Sequence, residues 1–346
     1  LRPIPHAIAQ DDPHTQRVWE AVSRTPLGGL WEFEGAAVGT VLRRTLKAML
    51  NDNLLSRAAE LGYYFLFALF PALVCASSLL GLAARSASLI YQHLLQSLTL
   101  LVPPSAYGLV IETFNETAAH ATTGKLTLGL VAAVWSASVG FSAIQDGMNA
   151  VYKVREGRPY WKARGSAILV TAALAVLVSL DLALLLGDGL LKAMLWTRLG
   201  EHMGRYALAR ASIVAVHALL WPATCALLLL QFSTIYYFAP DLQAKRWRWV
   251  TPGAALGLAG WVAASLGLKV YLHFFNSFSV TYGSLGAVIV LLTWFYITGL
   301  MILLGGEVNS EIQATVVERR LQQAQAERAL ASVPVSAAGN ADSLRE

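Results

Sequence analysis

A few ionisable and amide side chains punctuate an otherwise apolar chain, and chemistry would have to run through them. Glu60, Gln145, Asp146, Asn149, Tyr236, Tyr237, Glu307 and Asn309 each stand near one end of a long apolar run. Two carboxylates at comparable depth, Glu60 and Glu307, with tyrosine and asparagine donors nearby, could line a polar vestibule handling a cation, a proton or a headgroup. The same pattern arises where helix ends are simply polar, with Glu60 paired to Arg57 and the others capping helices. Asp181 and His217 form a second set, inside two further apolar runs. Helical rise places both in the outer half of a bilayer. An Asp–His pair there could relay protons or hold two helices together, and the second reading is the simpler one.

Familiar catalytic patterns are absent from the sequence. It contains no HExxH, GxSxG or Walker loop and no Cys/His metal spacing. The 7 histidines are scattered over tails, loops and two different apolar runs. We therefore expect no catalytic residue, no metal site and no cofactor.

The elements that must position these groups follow from composition. Of 346 residues, 56% are hydrophobic and 14% charged, against about 25% charged in soluble domains. With a mean hydropathy of +0.52, so much apolar surface needs a bilayer as solvent. Six runs have the length of a membrane helix, about 20 residues: 58–84, 126–143, 165–186, 209–238, 250–274 and 283–304. They lack the two-residue alternation of barrel strands. The expected fold is all-α and polytopic, with six transmembrane helices, an N-terminal interfacial amphipathic helix and amphipathic helices in the first outer loop. No removable signal peptide is visible near the start, so the first long run is expected to stay as an anchor. Cys75 and Cys225 both lie in apolar runs, where a thiol acts as a small hydrophobe.

Most of the 26 Lys and Arg gather beside alternate ends of these runs. They include Arg43, Arg44, Lys47 and Arg57; Lys153, Arg155, Arg158, Lys162 and Arg164; Lys245, Arg246 and Arg248; and Arg319, Arg320 and Arg328. The positive-inside rule then makes both termini cytoplasmic. That accounts for the net charge of +5, and no aromatic-interleaved basic stripe suggests nucleic acid.

Three regions follow: 1–57, a cytoplasmic segment with an interfacial helix; 58–308, the membrane domain with an outer loop at 86–125; and 309–346, a cytoplasmic helix and disordered tail. Within 36–50, Val38, Val41, Leu42, Leu46 and Leu50 recur near helical spacing, as an interfacial helix requires. Trp221-Pro222 predicts a kink, and Gly253 with Gly257 fits a small-xxx-small packing face.

Several stretches in this order resemble the YihY/BrkB family of bacterial inner-membrane proteins, from about Ala48 to Gln313. They are Ala58-Ala59-Glu60-Leu61-Gly62-Tyr63-Tyr64 with Phe70-Pro71; Trp135-Ser136-Ala137-Ser138 with Gly140-Phe141, Asn149 and Tyr152; and Tyr236-Tyr237 with Pro240. Pro252-Gly253-Ala254, Tyr282-Gly283 with Gly286, Trp294 with Tyr296, and Leu304-Gly305-Gly306-Glu307 with Asn309 complete the set. Pro71, Trp135, Gly140, Pro222, Pro240, Pro252, Gly253, Tyr282, Gly283 and Gly286 are taken as structural positions, and Tyr63 and Tyr64 join the cytoplasmic-side cluster. The resemblance implies a six-helix protein of the inner membrane. It links some members with serum resistance and virulence and others with lipid or lipopolysaccharide export. An older ribonuclease label of the family is regarded as mistaken. Many relatives carry a small residue at the position of Glu60.

The function expected is that of a transporter or lipid-handling protein of the bacterial inner membrane, not an enzyme. Membrane lipids are its partners, and a lipid or lipopolysaccharide-type molecule is its candidate substrate. The alternative is a non-transporting envelope scaffold or virulence-associated membrane protein. The sequence allows a homo-oligomer without specifying one.

Overall fold

The computed structural model describes residues 13–24, 31, 38–84, 108, 112, 123–200, 206–274 and 284–331. Side-chain surroundings are described for these except 13–14, 73–84, 123–126, 185–200, 206–213, 215–217, 284 and 331. The described elements are all helical: α1 (Pro13–Arg24), α2 (Val38–Asn51), α3 (Leu54–Ala84), α4 (Thr123–Val151), α5 (Tyr160–Gly200), α6 (Tyr206–Phe238), α7 (Pro252–Phe274) and α8 (Ser284–Ala331). Five stretches among the described residues are long and apolar enough to cross a bilayer: Thr127–Val151, Tyr160–Leu184, Ala218–Phe238, Pro252–Phe274 and Leu285–Leu330. The remaining expected run, 58–84, falls on α3, whose side chains beyond 72 lie outside the description. The chain is a multi-pass membrane protein.

Neighbouring helices close a ring in which α3 packs on α4, α4 on α5, α5 on α6, α6 on α7, α7 on α8 and α8 on α3. Side chains such as Leu169, Leu219, Leu256 and Leu266 point outward, as helices solvated by lipid require. Inside, Leu61, Phe141, Met148, Phe232, Tyr236 and Leu303 share one buried cluster. Small residues let the backbones meet: a methyl on Gly299 of α8 would stand 2.9 Å from Leu61 Cβ and 3.3 Å from the Ala58 carbonyl of α3. Close approach of this kind is how membrane helices gain packing energy.

The last span and the expected cytoplasmic helix are one continuous helix, α8, so the boundary drawn at 308 falls within it. Its stretch from Glu307 to Ile312 is buried, because α1 and α2 fold against α8. On α2, Val41, Thr45 and Ala48 face inward, while Val38, Leu42, Leu46 and Leu50 form an exposed apolar stripe. That stripe is what an interfacial helix presents to lipid. Arg44 ties α2 to α8 through Thr315 and Glu318.

Pro71 and Pro222 both lie inside helices that continue past them. Tyr282, Gly283, most of the outer loop and the tail beyond 331 lie outside the described residues.

Candidate functional site

Helix α4 ends in a tight reversal at the basic end of the bundle. Its last turn closes with Lys153 N–H donating to the Ala150 carbonyl and Val154 N–H to that of Asn149. This is a Schellman cap, and Lys153 occupies its left-handed position at φ 54, a conformation that costs a side-chain-bearing residue free energy. Lys153 is held by an ion pair with buried Asp52, which precedes a second left-handed residue, Asn53 (φ 53), between α2 and α3. The signal for this pair in the sequence is the short polar turn Asn51-Asp52-Asn53 between two helices.

Asn149 joins two loops. Its carbonyl oxygen accepts from the Asp241 N–H at 2.7 Å and its amide donates to Glu156 at 2.9 Å. Glu156 in turn receives a two-pronged hydrogen bond from Arg158, at 2.6 and 2.7 Å. Burial pushes the Glu156 carboxyl up, but hydrogen bonds from Arg158 and Asn149 outweigh it and hold the group below the usual carboxylate range.

Asn309 of α8 acts similarly on α7. Thr251 caps that helix, its hydroxyl accepting the Ala254 N–H, while Asn309 accepts the Gly253 N–H and donates to the Thr251 hydroxyl. Orphan amides of a first helical turn are thereby satisfied. Tyr236 of α6 donates to the Ile302 carbonyl at 3.0 Å. For Asn149 and Asn309 the capping and pinning role is thus the one seen.

Glu307 is different. It is fully buried, and neither carboxylate oxygen has a hydrogen-bond partner. Lys153, Asp52 and Glu311 are the charges that act on it. A buried carboxyl in this state needs a proton, a water or a cation. Tyr152, on which the charge of Glu307 acts, lines a polar cleft. Burial first, and then Glu307, push the Tyr152 phenol up, while Arg248 pulls it down.

That cleft, of about 60 Å³, opens between the end of α6, the loop 239–251 and α8. Tyr152, Tyr236, Tyr237, Lys245, Arg246, Arg248, Thr251 and Asn309 line it. It has room for a few waters.

The structure does not bring Glu60 and Glu307 into one buried cluster. Glu60 and Tyr63 are exposed on α3, as is Asp146 on α4, so these groups stay outside the buried cluster. Arg57 does not pair with Glu60 but donates to the Asp52 carbonyl. Tyr64 is half-buried beside Gly140. Gln145 is buried and donates to Ser166 of α5 at 3.2 Å. Trp135 is exposed under the Arg164 guanidinium, 4.5 Å from its ring centre, and Pro240, Pro252 and Gly286 are buried.

Of the Asp181–His217 pair, only Asp181 has described side-chain surroundings. Asp181 receives a hydrogen bond from Gln231 of α6. His217, whose side chain lies outside the description, precedes Gln231 on the same helix by about 21 Å of rise. Gln231 is a polar residue in an apolar run, the same signal by which Asp181 stands out. Among the described residues, no three His, Cys, Asp or Glu side chains converge as metal ligands.

The model of the family described as virulence factor BrkB matches residues 45–329. Over 260 residues the chain is 34% identical to the putative ribonuclease-like protein YfkH of Bacillus subtilis (strain 168), covering 74% of this chain and 88% of that one. It is 25% identical over 289 residues to a UPF0761 membrane protein of Stenotrophomonas maltophilia (strain K279a), covering 79% of this chain and 62% of the relative. A UPF0761 membrane protein of Xanthomonas oryzae pv. oryzae (strain PXO99A) is 27% identical over 280 residues, covering 78% and 59%. The chain thus spans about three fifths of the length of these UPF0761 relatives. No solved structure matches.

Proposed function

Because the chain belongs to the virulence factor BrkB family, whose UPF0761 relatives are membrane proteins, we propose that it is a transport or lipid-handling protein of the bacterial inner membrane. In this reading it has six spans, both termini are cytoplasmic, and membrane lipids are its partners. The observation that carries the reading is Glu307, a fully buried carboxyl with neither oxygen partnered. A scaffold gains nothing from such a group, because an apolar residue would pack there without the desolvation cost. A pathway for a proton, a cation or a polar headgroup gives it a role. The close approach of Gly253 to Gly305 and Asn309 fits a closed state of such a pathway. The same packing is what the alternative, a non-transporting envelope scaffold, would draw upon.

We read the protein as non-enzymatic. The ribonuclease-like name of the Bacillus relative would call for groups that activate water and bind a scissile phosphate together. That name is the relative's own, and a lining of Lys245, Arg246, Arg248 and tyrosines suits holding an anion.

The test is reconstitution in liposomes with fluorescent-headgroup lipids and with ion- and proton-sensitive dyes. Wild-type protein is expected to support flux of one of these species, and Glu307→Gln to abolish it while the folded amount and melting temperature stay unchanged. Normal flux in folded Glu307→Gln would overturn the role of Glu307, and absence of any flux in wild type would favour the scaffold.

A further inference from the structure

The positive-inside rule would account for cations in the loop 239–251, yet their placement exceeds what topology requires. Topology needs positive charge near a span end and no particular geometry. Here Lys245, Arg246 and Arg248 converge on one cleft. None of them forms an ion pair among the described residues. The nearby carboxylates Glu156 and Asp241 are instead engaged by Arg158.

The polar floor of the cleft is already matched within itself, since Asn309 and Thr251 bond to each other and to the start of α7. What remains unmatched is positive charge. One terminal nitrogen of Arg248, Nη1, is buried with no hydrogen-bond partner. Burial, and then the charge of Arg158, hold the Lys245 ammonium below its usual range. Burial and then Arg246 act in the same direction on Arg248. Positive charges crowded into a half-buried cleft raise its affinity for an anion, and a guanidinium fork beside an ammonium suits an oxyanion with several acceptor oxygens.

The surroundings indicate where the anion comes from. Trp247 stacks edge-on with Tyr237 and Trp249, at 5.2 and 5.9 Å between ring centres. Trp249 is 71% exposed, and Trp31 donates its indole N–H to the neighbouring Val250 carbonyl. Exposed tryptophans at the end of a membrane helix sit at headgroup level.

We propose that this cleft binds a phosphate-bearing anion through Lys245, Arg246 and Arg248, with an anionic phospholipid headgroup of the basic-side leaflet as its source. The proposal deepens the lipid-handling reading and rests on it for the source of the ligand; the anion chemistry stands on the cleft alone. A soluble phosphate compound would present the same chemistry from the other side.

Full-length protein in neutral detergent tests this by equilibrium binding of short-chain phosphatidylglycerol, short-chain phosphatidylcholine and inorganic phosphate. Phosphatidylglycerol is expected to bind in preference to phosphatidylcholine. Arg248→Gln should weaken it by about tenfold or more, the weight of one charge-assisted hydrogen bond. Arg246→Gln, at a more exposed position, should weaken it less, and Arg248→Lys should keep most of it.

Inorganic phosphate binding with the same sensitivity to Arg248→Gln, without preference for phosphatidylglycerol, would keep the site and make its ligand soluble. No anion preference in wild type, or affinity unchanged in folded Arg248→Gln, overturns the proposal. Flux measured on the same preparations separates the two readings. Flux without anion preference sinks this site alone, and anion preference without flux sinks the transport reading alone.

Discussion

Asn309 of α8 accepts the backbone N–H of Gly253, at 2.9 Å, in the first turn of α7. One helix thereby caps another, and the amide can reach because nothing but hydrogen stands on Gly253. A methyl there would lie 1.9 Å from the Gly305 carbonyl oxygen and 2.6 Å from Asn309 Cγ.

Gly253→Ala and Gly305→Ala are therefore expected to separate α7 from α8 and cost about 1–3 kcal/mol or more, as overpacking does. Asn309→Ala should cost about 1–3 kcal/mol by leaving a buried N–H unsatisfied. Gly165→Ala, where a methyl meets open space, is the control and should leave the protein at least as stable. Unfolding in detergent measures all four, and a Gly253→Ala protein as stable as wild type would mean that the two backbones do not approach.

Asp181 and Gln231 should show coupled energetics, because their side chains meet. A double-mutant cycle with alanine at both positions is expected to give a clear interaction energy. The cycle pairing Asp181 with His217 should instead be additive within about 0.3–0.5 kcal/mol. Coupling in the second cycle and none in the first would reverse the assignment.

Lys153 should respond differently to alanine and to glycine. Loss of its ion pair with Asp52, whose side chain is 4% exposed, should destabilise by roughly 3–5 kcal/mol. Glycine also relieves the φ of 54, so Lys153→Gly should retain about 1–2 kcal/mol that Lys153→Ala lacks. Equal melting temperatures for the two variants would argue against the left-handed cap.

Acid should loosen the fork between Glu156 and Arg158. Because the folded protein holds the Glu156 carboxyl below its ordinary 4.5, the contribution to stability is present above that value and is lost as pH falls through the lower folded one. The melting temperature should therefore fall as pH drops below about 4, and Glu156→Gln should have a flatter profile over that window. An unchanged slope in Glu156→Gln would show that the fork does not contribute.

Much of this architecture is legible in single stretches of sequence. The apolar runs coincide with long helices because a bilayer leaves a backbone no other way to satisfy its own hydrogen bonds. The glycine-rich stretches at 252–257 and 305–306 become the places where helices touch, since only small residues permit such approach. The stripe at 38, 42, 46 and 50 appears intact on α2, while Val41 turns inward against α8. A period shows that a helix has two faces but does not name the partner that each face meets.

Composition and local pattern, by themselves, determine that this chain lives in a membrane and where its helices run. These follow from solvation, a property of each segment. Only the tertiary structure decides which polar groups meet, because that depends on the rotation and axial offset of helices far apart in the chain. Successive residues of a helix point about 100° apart. Glu60 and Glu307, comparable by depth, therefore end on opposite terms, one exposed and one sealed inside. For the same reason Asp181 finds Gln231, and three loop cations read as topology converge on one cleft.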